Sequence, residues 1–324
     1  MAAPLLEVEN LKTHIFTDIG TVRAVDGVTL HIDPGEAVAL VGESGCGKSM
    51  TAFSIMRLAR PPARTIEGRI SFAGENLLAL GEDRMRRLRG DKLAMIFQDP
   101  MTFLNPVFRV GDQIAEALRI HQGLDRRTAR AKAREALIRV RIPAPDNVLD
   151  YFPHQLSGGM RQRVLIAIAI ACAPELLIAD EPTTALDVTI QAQIMELLAT
   201  IRRELGSAML LITHDLGLVA AYCDRVYVMY AGEIVEAATV DQLFADPRHP
   251  YTRALLRSTL DIDRRVEDFQ TIEGQPPNLV RPPSGCRFHP RCAERFAPCA
   301  TEAPPSFRVG EGRESRCWLH GEKA

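Results

Sequence analysis

Between residues 5 and 41 apolar and polar residues alternate in short bursts: Leu6-Glu-Val-Glu-Asn-Leu11, then Val22 to Leu30, then Glu36 to Val41. Turn-forming residues separate them at Asp18 to Gly20 and Asp33 to Gly35, so the pattern predicts a strand-rich sheet. Further on, the strands become continuously apolar, at Leu93 to Phe97, Leu176 to Ala179 and Ala208 to Ile212, as strands buried on both faces do. Between them the period is helical. Helices are predicted over Met50 to Arg60, across Val107 to Val140 before Pro143 and Pro145, and over Arg161 to Ala171. Ile190, Ile194, Leu197, Leu198, Ile201 and Leu205 trace the core face of another. Val226 to Tyr230 and Glu233 to Val235, around Ala231-Gly232, predict a terminal hairpin. The basic runs Arg84 to Arg89 and Arg126 to Arg134 read as solvated helix faces.

Length and charge narrow the possibilities. The 324 residues suit one large domain with an appendage or two ordinary domains, and 46% hydrophobic residues supply a core. Lys plus Arg number 39 against 41 Asp plus Glu, and a net charge of −2 gives no global attraction to nucleic acid. The N-terminus has neither a basic n-region nor an apolar h-region, which predicts a chain that is not exported. Its longest apolar run, Val164 to Ala173, is about half of the ~20 residues that a spanning helix requires. Seven cysteines in such a chain point to thiols or metal ligands rather than disulfides.

The chemistry centres on Gly42-Glu43-Ser44-Gly45-Cys46-Gly47-Lys48-Ser49, which follows the strand Val38 to Val41 and precedes a helix. Gly42, Gly45 and Gly47 let the backbone curl so that its N–H groups face phosphate oxygens, and the following helix adds its positive end. Lys48 then holds the β- and γ-phosphates and Ser49 ligates Mg²⁺, so the chain is expected to bind a nucleoside triphosphate. Phe16 lies upstream; such a ring either returns to stack on a base or, as is commoner for an aromatic, fills the core.

Three apolar strands end in polar groups. One stops at Gln98, before Asp99-Pro100, where a metal or water contact can sit. A second delivers Asp180 and Glu181, the first suited to Mg²⁺ and the second to polarising an attacking water. The third ends at His214, placed to contact a γ-phosphate. Ser157-Gly158-Gly159 opens a helix with a cap hydroxyl and exposed N–H groups, a second anion site on the same principle as the first.

In order and spacing, Gly42 to Ser49, Gln98, Leu156 to Met160, Leu176 to Glu181, Ala185-Leu186-Asp187 and His214 resemble the Walker A, Q-loop, signature, Walker B, D-loop and H-loop of the ABC-type ATPase cassette. The resemblance covers residues 5 to about 245, with Met160 standing where the commonest signature has Gln. It implies an α/β fold: a P-loop cassette with a mixed sheet over residues 1–245, a helical subdomain inserted at about 99–172, and a cysteine-bearing extension at 246–324. It also implies that ATP is held by Phe16, the loop from Gly42 to Ser49, Met50, Gln98 and Asp180. Ser49, Gln98 and Asp180 serve Mg²⁺, and Lys48, Gln98, Glu181 and His214 carry the catalysis. Ser157 and Gly159 complete the ATP site of a second cassette, a paralogue or another copy.

Phe97-Gln-Asp-Pro-Met-Thr-Phe-Leu-Asn-Pro106, His249-Pro-Tyr-Thr-Arg-Ala-Leu-Leu256 and Gly285-Cys-Arg-Phe-His-Pro-Arg-Cys292 resemble the ATPase subunits of oligopeptide and dipeptide importers. That implies a translocase ATPase, peripheral on the cytoplasmic face of the cell (inner) membrane. Its partners are two polytopic permease subunits and an extracytoplasmic solute-binding protein, with no nucleic acid. Peptide is the expected cargo, with nickel, glutathione or another small solute as the alternative. A soluble ABC ATPase of DNA repair or translation fits less well, because there is one cassette, no long heptad insertion and no net positive charge.

The extension holds Cys286, Cys292, Cys299 and Cys317, with none of the Cys-x-x-Cys spacing of common zinc modules. Four thiolates suit a tetrahedral Zn²⁺ or an iron–sulfur cluster, and composition alone favours zinc. The importer resemblance implies a 4Fe-4S cluster instead. His289 and His320 are reserve ligands, read first as solvent-facing. Cys46, Cys172 and Cys223 read as packing residues.

Overall fold

The computed structural model describes residues 3–184, 186–259 and 272–321. In chain order the strands are β1 (Leu6–Thr17), β2 (Gly20–Ile32), β3 (Ala37–Val41), β4 (Ala63–Phe72), β5 (Glu75–Asn76), β6 (Leu93–Ile96), β7 (Leu176–Asp180), β8 (Ala208–Thr213), β9 (Arg225–Tyr230), β10 (Glu233–Thr239), β11 (Phe307–Gly310) and β12 (Arg313–Ser315). The helices are α1 (Lys48–Ile55), α2 (Glu82–Leu88), α3 (Pro100–Phe103), α4 (Val110–Gln122), α5 (Arg126–Arg139), α6 (Pro145–Val148), α7 (Gly158–Ile170), α8 (Val188–Leu205), α9 (Leu216–Tyr222), α10 (Val240–Ala245) and α11 (Pro250–Thr259). Among the described residues no helix is long and apolar enough to cross a membrane.

These elements form two compact units. One contains the chain up to Ile32, Ala37–Leu78 and everything from Ile212 onward; the other contains Asp33–Glu36 and Ala79–Leu211. In the first unit β2, β1, β4 and β5 make an antiparallel sheet, its register shifted where Asn10 takes a positive φ of 45°. A second, mixed sheet runs β11-β12-β10-β9-β3, with β3 parallel to β9 and the remaining pairs antiparallel. Every residue of β3 is buried, as its unbroken apolar sequence requires. The extension joins this unit by adding β12 and β11 to the edge of β10. Tyr251 and Phe288 enter the same core as Val41, Val228 and Tyr230.

In the second unit β7 lies between β6 and the first residues of β8, 208–211, with β6 and β7 parallel in register. Helices α4, α5 and α7 pack together. Capping fixes where the helices begin: the Asp125 carboxylate accepts from Arg127 and Thr128 N–H, and that of Asp187 from Ile190 N–H. The α8 stripe is buried at Ile194, Leu197, Leu198 and Ile201, while Ile190 and Leu205 are half-buried. Both basic runs lie on solvated faces, with only Met85, Leu88, Ala129 and Ala133 turned inward.

Two expected boundaries move. The helix after the loop stops at Ile55 instead of continuing to Arg60: Arg57 has φ of 51°, its N–H donates to Ser54 O, and Leu58 N–H donates to Phe53 O at 2.7 Å. This is a left-handed helix closure with arginine where glycine is usual, held by Arg57 Nη1 on the Leu77 carbonyl at 3.0 Å. Helix α7 starts at Gly158 rather than Arg161, because Ser157 caps it and the two glycines form its first turn.

Candidate functional site

The loop between β3 and α1 in the first unit is shaped by close backbone approach. A Cβ on Gly42, at φ of 154°, would lie 2.1 Å from the Met229 carbonyl oxygen, and one on Gly47, at φ of 111°, 2.1 Å from that of Ala24. No other residue fits either position. Lys48 is buried and donates from Nζ to the carbonyls of Gly42 (2.8 Å) and Glu43 (3.0 Å), which folds its ammonium back over the loop. Ser49 sits in the first turn of α1, whose N-terminal N–H groups face the loop. Burial pushes the Cys46 thiol up, and the residue packs beneath the loop.

Sequence reasoning gave no support role to residues distant from the loop, yet several hold it. The Glu43 N–H donates to Tyr251 Oη at 2.9 Å, and its carboxylate is gripped by Arg291 Nη1 and Nη2 at 2.7 and 3.0 Å. Burial works against the Arg291 charge, but the bonds to Glu43 and Tyr230 outweigh it and raise the pKa above the usual arginine range. Gly232 N–H closes on the Cys46 carbonyl at 2.8 Å. In the same unit Phe16 is 43% exposed on β1, with the Arg64 guanidinium 5.8 Å from its ring centroid. The ring is therefore at the surface and not in the core. His214 is exposed at the end of β8, just before Asp215, whose carboxylate caps α9.

The second unit gathers the other polar groups. Buried Asp180 ends β7, and Glu181 follows with φ of 44°, a left-handed conformation uncommon for a residue with a side chain. Its Oε2 accepts from Gln98 Nε2 at 2.9 Å and from Thr184 Oγ1 at 2.8 Å. The structure thus brings Gln98 and Glu181 together across 83 residues of sequence. Ser157 caps α7 by accepting from Met160 N–H, and a Cβ on Gly159 would meet Ile190 Cγ2 at 3.1 Å. Asp187 caps α8; Ala185 lies outside the described residues.

Cys286, Cys292, Cys299 and Cys317 line one small cavity of about 10 Å³, with His249, Phe288 and Trp318 among its walls. Burial pushes the Cys286 thiol up to about 11 and that of Cys317 to about 12, and the neighbouring cysteines add to both shifts. Four thiolates are therefore stable there only opposite a compensating positive charge. Among the described residues no group of three or more His, Cys, Asp or Glu side chains is arranged to hold a metal ion. The reserve histidines are half-buried and not solvent-facing: His289 Nδ1 donates to the Cys286 carbonyl at 2.9 Å and His320 Nε2 to that of Arg248 at 3.2 Å. His249, which sequence reasoning did not connect with the cysteines, is buried in the wall and accepts from Tyr251 N–H at 3.0 Å. Burial lowers its pKa to about 3, so the ring is neutral near pH ~7. Cys172 and Cys223 pack in or against buried surroundings.

A glycine-rich phosphate loop after a buried strand, with paired carboxylates ending another, defines the class of P-loop nucleotide-binding α/β proteins. Residues 25–184 match the ABC transporter family, and residues 235–299 match the oligopeptide/dipeptide transporter C-terminal region. The chain is 51% identical over 320 residues to the probable peptide ABC transporter ATP-binding protein y4tR of Sinorhizobium fredii, covering 98% of this chain and 96% of that protein. It is 48% identical to the oligopeptide transport ATP-binding protein AppD of Bacillus subtilis, covering 98% of each. Among solved structures, a dimeric post-hydrolysis state of the ATP-binding cassette MJ0796 bound to ADP and Pi superposes with a TM-score of 0.66 at 27% identity, covering 72% of this chain and 98% of that one. Cassette cbiO1 from Clostridium perfringens gives 0.63 at 29% identity, covering 76% and 92%. The chain belongs to the ABC transporter family of ATP-binding proteins, in the branch that carries the oligopeptide/dipeptide transporter C-terminal region.

Proposed function

We propose that this chain is the ATP-hydrolysing subunit that drives peptide import through a membrane ABC transporter. The observation that carries the chemistry is Glu181, fixed by Gln98 and Thr184 directly after the buried carboxylate of Asp180. In this reading Lys48 exchanges its loop carbonyls for the β- and γ-phosphates, the loop N–H groups hold the remaining oxygens, and the Phe16 ring stacks on the base. Glu181 takes the proton of the attacking water, and His214 contacts the γ-phosphate. Ser49, Gln98 and Asp180 offer the hard oxygen donors that Mg²⁺ prefers. When bound with ATP, Mg²⁺ supplies neutralising charge at the β- and γ-oxygens. Ser157 and Gly159, at the start of α7, complete the site of a second cassette.

Residues 1–245 act as the cassette and 246–324 as the extension. The match of residues 235–299 and the similarity to the peptide transporter ATP-binding proteins y4tR and AppD support peptide as the cargo. Met101, Phe103, Val107 and Phe108, close after Gln98 in the sequence, are apolar side chains exposed on the surface of the second unit. That surface supports docking of polytopic permease subunits at a cytoplasmic membrane face. A paralogous or identical cassette and an extracytoplasmic solute-binding protein complete the assembly.

The four cysteines carry the remaining part of the proposal. A shared lining of four thiols is the donor set of an iron–sulfur cluster, with Zn²⁺ as the alternative. A bound metal group supplies the positive charge that stabilises the thiolates. Anaerobically purified protein should contain iron and acid-labile sulfide; about one equivalent of zinc without either would overturn the cluster.

Gentle purification of the tagged chain from native membranes tests the main reading. Two polytopic proteins, with or without a second cassette, should come with it, and the preparation should hydrolyse ATP. Recovery only from the soluble fraction, bound to nucleic acid or ribosomes, would refute it.

A further inference from the structure

The cysteine-bearing extension grips the phosphate loop through one buried arginine. Arg291 stands between Pro290 and Cys292, its side chain only 5% exposed. Its two terminal nitrogens fork the Glu43 carboxylate, Nη1 also donates to Tyr230 Oη at 3.3 Å, and Nε and Nη2 donate to the carbonyls of Glu273 and Ile272. A bidentate guanidinium–carboxylate pair with every nitrogen engaged fixes geometry in a way that a mobile surface ion pair does not. Glu43 is also the one residue of Gly42 to Ser49 that carries negative charge, in a loop shaped to receive phosphates. Without a partner it would repel them.

Other contacts from the same segment converge on the loop's supports. Phe288 packs edge-on against Tyr230, with ring centroids 5.2 Å apart, and lies 5.4 Å from Tyr251, the residue whose hydroxyl accepts from Glu43 N–H. Arg287 bonds the Asp26 carboxylate and the Ala231 carbonyl, bracing the turn whose next residue, Gly232, closes on the Cys46 carbonyl. The geometry points to Arg291 as a positioning residue for the nucleotide site: from the extension it neutralises Glu43 and, with Tyr251, sets the curvature of the phosphate loop, so that ATP affinity depends on how Cys286 to Cys292 is folded. This inference rests on the ATP-binding reading above.

The test measures, on the full-length protein, the affinity for a fluorescent ATP analogue, kcat and KM for ATP, and the midpoint of thermal unfolding. Arg291→Ala should weaken nucleotide binding about tenfold, with kcat at saturating ATP changed by less than about twofold. Arg291→Lys restores the charge but not the fork, and should fall between the two. Glu43→Gln in the Arg291→Ala background removes the unpaired charge and should recover part of the lost affinity. Tyr251→Phe deletes only the hydroxyl that accepts from Glu43 N–H; it should weaken binding about threefold, and it carries the test if Arg291→Ala does not fold. Wild-type affinity in Arg291→Ala or, should that variant be unfolded, in Tyr251→Phe overturns the role, even if the unfolding midpoint drops. A wild-type protein that binds no nucleotide overturns the ATP reading itself, and is told apart by that control.

Discussion

Gln98 Nε2 donates to Glu181 Oε2 at 2.9 Å, and Thr184 Oγ1 donates to the same oxygen at 2.8 Å. Both bonds use the carboxylate as an acceptor and hold it in one orientation, as the positioning of a general base requires. Glu181→Gln keeps the shape and removes the basicity. ATP turnover should fall by about a hundredfold or more while ATP still binds, and closed cassette pairs should accumulate on size-exclusion chromatography. Hydrolysis at the wild-type rate would remove Glu181 from the role of base.

The loop glycines are not equivalent. A methyl group on Gly47 would lie 2.1 Å from a backbone oxygen, whereas one on Gly45 would meet nothing within 4 Å. Gly45→Ala should therefore carry only the left-handed strain, about 1 kcal/mol. Gly47→Ala adds a clash with Ala24 that no rotamer relieves; it should lose about 2 kcal/mol or more of stability and most nucleotide affinity. Thermal unfolding and nucleotide titration of the two variants side by side would check the ranking.

What could be read from the chain alone was what local pattern controls. The buried strands at Ala37–Val41 and at residues 176–179 are unbroken apolar runs, and the cap at Ser157 is a side chain bonding three residues ahead. The left-handed Glu181 was not legible, because its φ is set by tertiary context. Nor was the end of α1, where an arginine fills a position that usually announces itself as glycine. The grip of Arg291 on Glu43 joins residues 248 apart, and no periodicity records such a pair. The convergence of the four cysteines on one cavity follows from their number, but the place of His249 in its wall does not.

Asp26 links the extension to acid stability. Burial pushes its carboxyl up, but the Arg287 bond and charge, aided by His14, bring it below its ordinary 3.8. A carboxylate depressed on folding stabilises the native state fully above its unfolded pKa, and that contribution is lost as pH falls through the folded value. Asp26→Asn should therefore cost about 2 kcal/mol near neutral pH, the scale of a hydrogen bond to a charged group. The gap between variant and wild type should close as the pH drops below 3.8. Unfolding curves across that range decide it, and a gap that stays constant with pH would assign the loss to packing.

The exposed ring of Phe16 separates a binding role from a structural one. Because it is 43% accessible, with Arg64 over its face, truncation removes little from the core. Phe16→Ala should leave the unfolding midpoint nearly unchanged, since surface substitutions typically shift stability by no more than about 0.5 kcal/mol. If the ring stacks on adenine, the same change should weaken ATP binding by about 1 kcal/mol or more, roughly fivefold, at constant kcat. Phe16→Trp, with a larger face, should restore or tighten it. Stacking also tolerates any purine, so the loss for GTP should match that for ATP. A stability loss with unchanged affinity would return Phe16 to a packing role on β1.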